Sequence, residues 1–202
     1  MKRLALVSGL GRKVSYNQML VKRYEDMGYQ VTEFKFNPIY LMSHHLRNKL
    51  DKTAIEIITN YDIIHSQSGG FVPVFPHYVN NQCKQPWIME TPAFTVTTGT
   101  FMSGIGIKKS FHGVKDIKII QNFLDYFCFQ IQWKENIYKD ILKLKEKEQL
   151  LLLGSHEDGV SDNRGHEHLF HHIYQKGKHV RLFLENDFKV VEDFLKDYQY
   201  TK

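Results

Sequence analysis

The sequence predicts a three-layer α/β domain, with a mostly parallel central sheet of about six strands between helical layers. Three observations carry that expectation. Short apolar runs alternate with stretches of helical period from the first residues onward. Several of those runs end in Gly- and Ser-rich loops. The chain has 202 residues, of which 42% are hydrophobic and 24% charged, which suits one globular domain and excludes a disordered or fibrous chain.

Each element follows from its local pattern. Leu4 to Ser8 is an apolar run that stops at Gly9-Leu10-Gly11, the form of a buried parallel strand entering a loop. Ser15 is a helix cap, Met19, Leu20 and Tyr24 recur at helical spacing, and Gly28 is the stop. Gln30 to Phe36 alternates Val31, Phe34 and Phe36 with polar residues as a second strand, which Asn37-Pro38 breaks. Residues 46–59 place Leu50, Ala54, Ile55 and Ile58 on one helical face. Tyr61 to His65 reads as the third strand, running into Ser66-Gln67-Ser68-Gly69-Gly70. Pro73 and Pro76 confine or distort the helix expected next.

Trp87 to Glu90 is the fourth strand, ended by Thr91-Pro92. Residues 93–115 are rich in Thr, Gly and Ser without clean period, and 117–148 are helical and aromatic. Together 93–148 read as a lid or cap insertion in a single domain spanning 1–202. Leu150 to Leu153 is the fifth strand. A helix is expected over 165–175, a sixth strand over 180–184 and a closing helix over 188–198. Right-handed crossovers then bring the strand carboxyl ends to one edge, where a functional site belongs.

Three loops at that edge carry chemistry. A serine on a sharp strand-to-helix turn needs small residues two positions before and after it, because the backbones crowd there. Ser68 meets this, flanked by Ser66 and Gly70. Ser66 is the alternative nucleophile, although its frame puts the branched Ile64 at a crowded position. A Gly-rich phosphate-binding turn with no nucleophile is the other reading of this loop. After the fifth strand, Gly154 to Gly159 offers Asp158, with Glu157 as fallback, to orient an imidazole. After the first strand, the backbone at Leu10, together with that of Gly69, is placed to form an oxyanion hole.

That order of elements, with Ser66–Gly70 as an elbow and Gly154–Asp158 as an acid loop, resembles the α/β-hydrolase superfamily in a minimal form, over almost the whole chain. The resemblance implies a serine hydrolase acting on an ester or thioester, with no cofactor and a small acyl substrate. It also implies a histidine in the loop after the last strand. The loop after 180–184 reads Leu184-Glu185-Asn186-Asp187-Phe188 and has none. His179 precedes that expected strand, which would put it at the opposite edge. His156 on the acid loop is therefore the nearest substitute base, with His65 and His112 behind it. A catalytically inactive member of the fold that binds a ligand or protein is the alternative. A third reading, a nucleotide-binding protein, comes from Tyr61 to Ser66, which resembles a stretch of two-domain glycosyltransferases.

Other classes are disfavoured. The formal charge of +5 is mild and scattered, and acids interleave the Lys143–Lys147 run, so no nucleic-acid partner is expected. No apolar run reaches the roughly 18–20 residues of a bilayer span, and the apolar run Leu4–Val7 breaks at Ser8-Gly9, too soon for a signal peptide. Cys83 and Cys128 do not form a disulfide framework, so a cytoplasmic protein is expected. His168 and His172 have zinc-compatible i, i+4 spacing on the expected helix, but without the HExxH order the expectation is a solvated face and no metal. Phe123, Tyr126, Phe127, Phe129 and Trp133 are expected to pack core or lid, and would favour an apolar acyl group if they line a pocket.

Overall fold

Consecutive side chains of a strand point to opposite faces, so a run apolar throughout needs cover on both sides. Strand β1 (Arg3–Ser8) shows this: Leu4 and Leu6 enter one core, Ala5 and Val7 the other. The protein, seen here as a computed structural model, is described over residues 1–9, 14–36, 47–92, 131–158 and 167–200. Within these, β1 is followed by α1 (Val14–Asp26), β2 (Gln30–Lys35), α2 (Arg47–Asn60) and β3 (Ile63–Gln67). A 3-10 turn (Ser68–Phe71) leads to α3 (Phe75–Asn80), then β4 (Trp87–Glu90), α4 (Ile131–Glu146) and β5 (Leu150–Ser155). A second 3-10 turn (Glu167–Leu169), β6 (His172–Tyr174), α5 (Leu182–Glu185) and α6 (Lys189–Tyr200) complete the order.

The six strands form one sheet in the order β2-β1-β3-β4-β5-β6, every pair parallel. One face carries Leu50, Ala54 and Ile57 of α2, Tyr78 of α3, and Ile137 and Ile141 of α4. The other carries Leu20 and Tyr24 of α1, Phe183 of α5, and Val191 and Leu195 of α6. The three-layer α/β class is as expected. Its strand order reverses between β1 and β3, and crevices at such switch points are where open parallel sheets place their sites.

Three local differences from the sequence reading matter. Strand β3 runs to Gln67, two residues beyond its expected end at His65, so Ser66 lies inside the sheet and Ser68 is the first residue past it. The two prolines divide the following helix: Pro76 sits in the first turn of α3, where a missing N–H costs no helix bond.

The third difference corrects the end of the chain. Residues 180–184 are not a strand; Leu182 to Glu185 form the short helix α5, burying Leu182 and Phe183. The sixth strand is instead His172–Tyr174, within the span expected to be helical. Among the described residues it is an edge strand, paired with β5 through Leu153↔His172, Gly154↔Ile173 and Ser155↔Tyr174. An edge strand needs little apolar surface, and its pattern here is exposed, half-buried, buried. His168 and His172 therefore do not share a helix. Among the described residues, no group of three or more His, Cys, Asp or Glu is placed to hold a metal ion.

Residues 93–130, most of the expected insertion, lie outside the described residues, as do Cys128 and the aromatic positions 123–129. The described end of that span is α4, whose Ile137, Ile141 and Leu144 pack in the core layer. No helix among the described residues is long and apolar enough to cross a membrane.

Candidate active site

Ser68 sits at the carboxyl end of β3 with φ +51°, left-handed backbone that a residue with a Cβ rarely adopts. Such a position costs on the order of 1–3 kcal/mol and persists only where the surroundings enforce it. They do. A Cβ on Gly70 would lie 2.7 Å from the Val7 carbonyl oxygen and 2.9 Å from that of Ser8, so the turn packs on the end of β1. A Cβ on Gly9 would lie 2.8 Å from the Ser68 Cβ. The glycines at 9 and 70 thus let the elbow sit directly over the β1/β3 switch.

Ser66 faces the other way. It is buried, and its Oγ accepts the indole N–H of Trp87 at 2.8 Å, inside the aromatic core with Phe75 and Tyr78. A hydroxyl so held has no access to the sheet edge. Gly69 follows Ser68 in the 3-10 turn and is buried there. Leu10 lies outside the described residues, as does His112.

The imidazole that meets Ser68 is that of His179. Its Nε2 lies 2.7 Å from Ser68 Oγ, and its Nδ1 lies 2.9 Å from both carboxylate oxygens of Asp158. The side chains of His179 and Asp158 are 12% and 1% exposed, so the ion-pair geometry is largely shielded from water. A carboxylate only accepts hydrogen bonds, so Nδ1 carries the proton and Nε2 presents its lone pair to the serine hydroxyl. The chain order is Ser68, Asp158, His179.

The rejection of His179 on sequence grounds is thus corrected. With β6 at 172–174, the histidine follows the last strand by five residues and stands at the same edge as Ser68. The sequence carried no signal for it, because the polar edge strand that precedes it is defined by backbone pairing with β5, which apolar patterning does not register. His156, the expected substitute, is exposed; its backbone N–H donates to the Tyr174 carbonyl at 3.0 Å. His65 is fully buried on the α1 face, with Nδ1 2.7 Å from the Tyr24 hydroxyl. The fallback carboxylate Glu157 instead accepts the Gly177 N–H at 3.3 Å and so braces the His179 loop.

The acid loop has a local cause. Ser155 ends β5, its Oγ accepts the Glu157 N–H at 3.2 Å, and its carbonyl accepts the Asp158 N–H at 3.3 Å. From that turn the Asp158 carboxylate meets the His179 ring. Glu90 is fully buried at the end of β4. It accepts from Tyr16 Oη at 2.6 Å, Gln67 Nε2 at 2.7 Å and Leu182 N–H at 3.3 Å. Burial, then the Glu90 charge, holds the Tyr24 hydroxyl well above the usual phenol range. Burial, then Asp187 and Glu90, pushes Tyr174 up to about 12. Both phenols stay neutral beside that carboxylate.

This architecture matches solved structures. The esterase Pf2001 of Pyrococcus furiosus aligns at TM-score 0.58 and 12% identity, over 98% of this chain and 82% of that one. The fold is α/β-hydrolase-like. A second crystal form of Pf2001 aligns at TM-score 0.57 and 14% identity over 97% of this chain and 82% of that one. The ydeN gene product of B. subtilis aligns at TM-score 0.52 and 13% identity over all of both chains. No family model matches the chain, and no curated protein matches it in sequence. At these identities the α/β-hydrolase-like neighbours speak to fold, and the chemistry rests on the residues themselves.

Proposed function

We propose that this protein is a serine hydrolase that cleaves an ester or thioester of a small acyl substrate. The observation that carries the reading is the unbroken line Ser68 Oγ, His179 ring, Asp158 carboxylate, at 2.7 and 2.9 Å. Ser68 attacks the acyl carbonyl while His179 Nε2 takes its proton. The imidazolium then donates to the leaving oxygen or sulfur as the acyl-enzyme forms. A water, deprotonated by the same nitrogen, releases the acid. Asp158 fixes the tautomer and stabilises the imidazolium without itself taking the proton. The Gly69 N–H, next to the nucleophile, is one donor to the developing oxyanion, and the backbone at Leu10 is proposed as the second. The expected insertion at 93–148 is proposed to carry the lid or cap over the acyl group. No cofactor enters this chemistry, and the protein is proposed to act in the cytoplasm.

The binding-only alternative drew its motive from a histidine missing after the last strand. His179 occupies that position, and no observation now favours it. The test is turnover of short-chain p-nitrophenyl esters and thioesters by the wild type and by Ser68→Ala and His179→Ala. Either substitution is expected to lower kcat by roughly 10³-fold or more. Wild-type turnover that survives both substitutions would remove the proposal.

A further inference from the structure

Two β-branched residues beside the triad hold left-handed backbone: Thr91 at φ +45° and Val180 at φ +50°. Such residues are outliers there, and clustered outliers point to a functional constraint. These two are bonded to each other, the Val180 N–H donating to Thr91 Oγ1 at 3.1 Å. Val180 is the residue after His179. Thr91 is fully buried, and its own N–H donates to the Leu153 carbonyl of β5 at 2.8 Å. Its neighbour Glu90 accepts from Leu182 N–H at 3.3 Å, on the far side of Val180, and from Gln67, the residue before Ser68, at 2.7 Å.

The dipeptide at the end of β4 therefore grips the supports of all three triad residues: Gln67 beside Ser68, Leu153 on the strand leading to Asp158, and Val180 and Leu182 after His179. We propose that Glu90-Thr91 is the positioning element of the active site, with the Thr91 hydroxyl holding the His179 loop in the strained backbone that sets the imidazole against Ser68. This rests on the hydrolase reading above. Thr91 touches no reacting atom; it acts through Val180. Removing its oxygen lets Val180 relax toward ordinary backbone, and the neighbouring ring then leaves its 2.7 Å contact with Ser68.

The experiment compares the wild type, Thr91→Val and Thr91→Ser. Valine keeps the shape and branching and removes the acceptor; serine keeps the acceptor. Two quantities are read: the phosphonylation rate of Ser68 at saturating fluorophosphonate, and hydrogen exchange of the Val180 amide. Thr91→Val is expected to slow labelling roughly tenfold with unchanged half-saturation, and to lose protection at Val180. Thr91→Ser is expected to label within about twofold of wild type and to keep protection. Should valine disturb the melting transition, Thr91→Ala replaces it with the same expectations. Wild-type labelling rates in the valine variant would overturn the positioning role alone. Equal losses in the valine and serine variants would overturn it too, since the hydroxyl would then not be the cause. A wild type that never labels at Ser68 would overturn the hydrolase reading and this inference with it.

Discussion

Gly70→Ala perturbs the elbow at its tightest contact. The added methyl would lie 2.7 Å from the Val7 carbonyl oxygen, 2.9 Å from the Ser8 oxygen and 3.2 Å from the Ser8 carbonyl carbon. All three are backbone atoms of a central strand, so they cannot rotate aside. Ordinary carbon–oxygen contact is about 3.3 Å, so the turn must retreat by roughly half an ångström. Overpacking of that kind costs about 1–3 kcal/mol of stability. Ser68 is two residues upstream on the same turn and moves with it. A 1 Å misplacement costs about 10²-fold in rate, so half that distance predicts a loss of roughly tenfold. Stability is measured by urea unfolding and activity by kcat/KM on a short-chain p-nitrophenyl ester. A variant within about 0.5 kcal/mol and twofold of wild type would refute the crowding argument.

Other outcomes follow from the same geometry. Asp158→Asn should lower kcat by roughly 10³- to 10⁴-fold while leaving the melting temperature nearly unchanged, because the amide no longer fixes the His179 tautomer; a loss under tenfold would contradict it. Ser66→Ala should cost about 1–2 kcal/mol by stranding the Trp87 indole N–H, and leave ester turnover within about twofold. Equal loss from Ser66→Ala and Ser68→Ala would overturn the assignment of roles. His171 is an exposed residue, but partial desolvation of its ring, then Lys145, lowers the imidazole from 6.5 to about 4, and its Nδ1 accepts the Leu152 N–H at 3.0 Å. The unfolded chain then protonates first, so stability should fall as pH drops from about 6.5 toward 4. His171→Asn should flatten that part of the denaturation profile, and an unchanged slope would refute the cause given.

The central strands were legible because burial on both faces leaves a mark: Leu4–Val7, Trp87–Met89 and Leu150–Leu153 are apolar without interruption. Ser68 and Asp158 could be named as candidates because steric demand at an elbow and a carboxylate past a strand both have short-range signatures, and both side chains meet the His179 ring. His179 was not legible. The run Val180–Leu184 has the hydrophobicity of a strand, yet Leu182 and Phe183 bury themselves from a four-residue helix. The true edge strand, His172-Ile173-Tyr174, earns its place through one-sided backbone pairing, which composition does not encode. An eight-residue displacement of one strand was enough to send the catalytic candidate to the wrong side of the sheet. Glu90 and Thr91 were invisible for another reason: their role lies in contacts with Gln67, Leu153, Val180 and Leu182, most of them distant in sequence.

The most direct test of the central claim is mass-spectrometric mapping of the adduct formed by a fluorophosphonate on the intact protein. The geometry predicts a single modified residue, Ser68, with the adduct lost in His179→Ala as well as in Ser68→Ala. An adduct on Ser66 or elsewhere, or none under conditions that label a known serine esterase, would contradict the account.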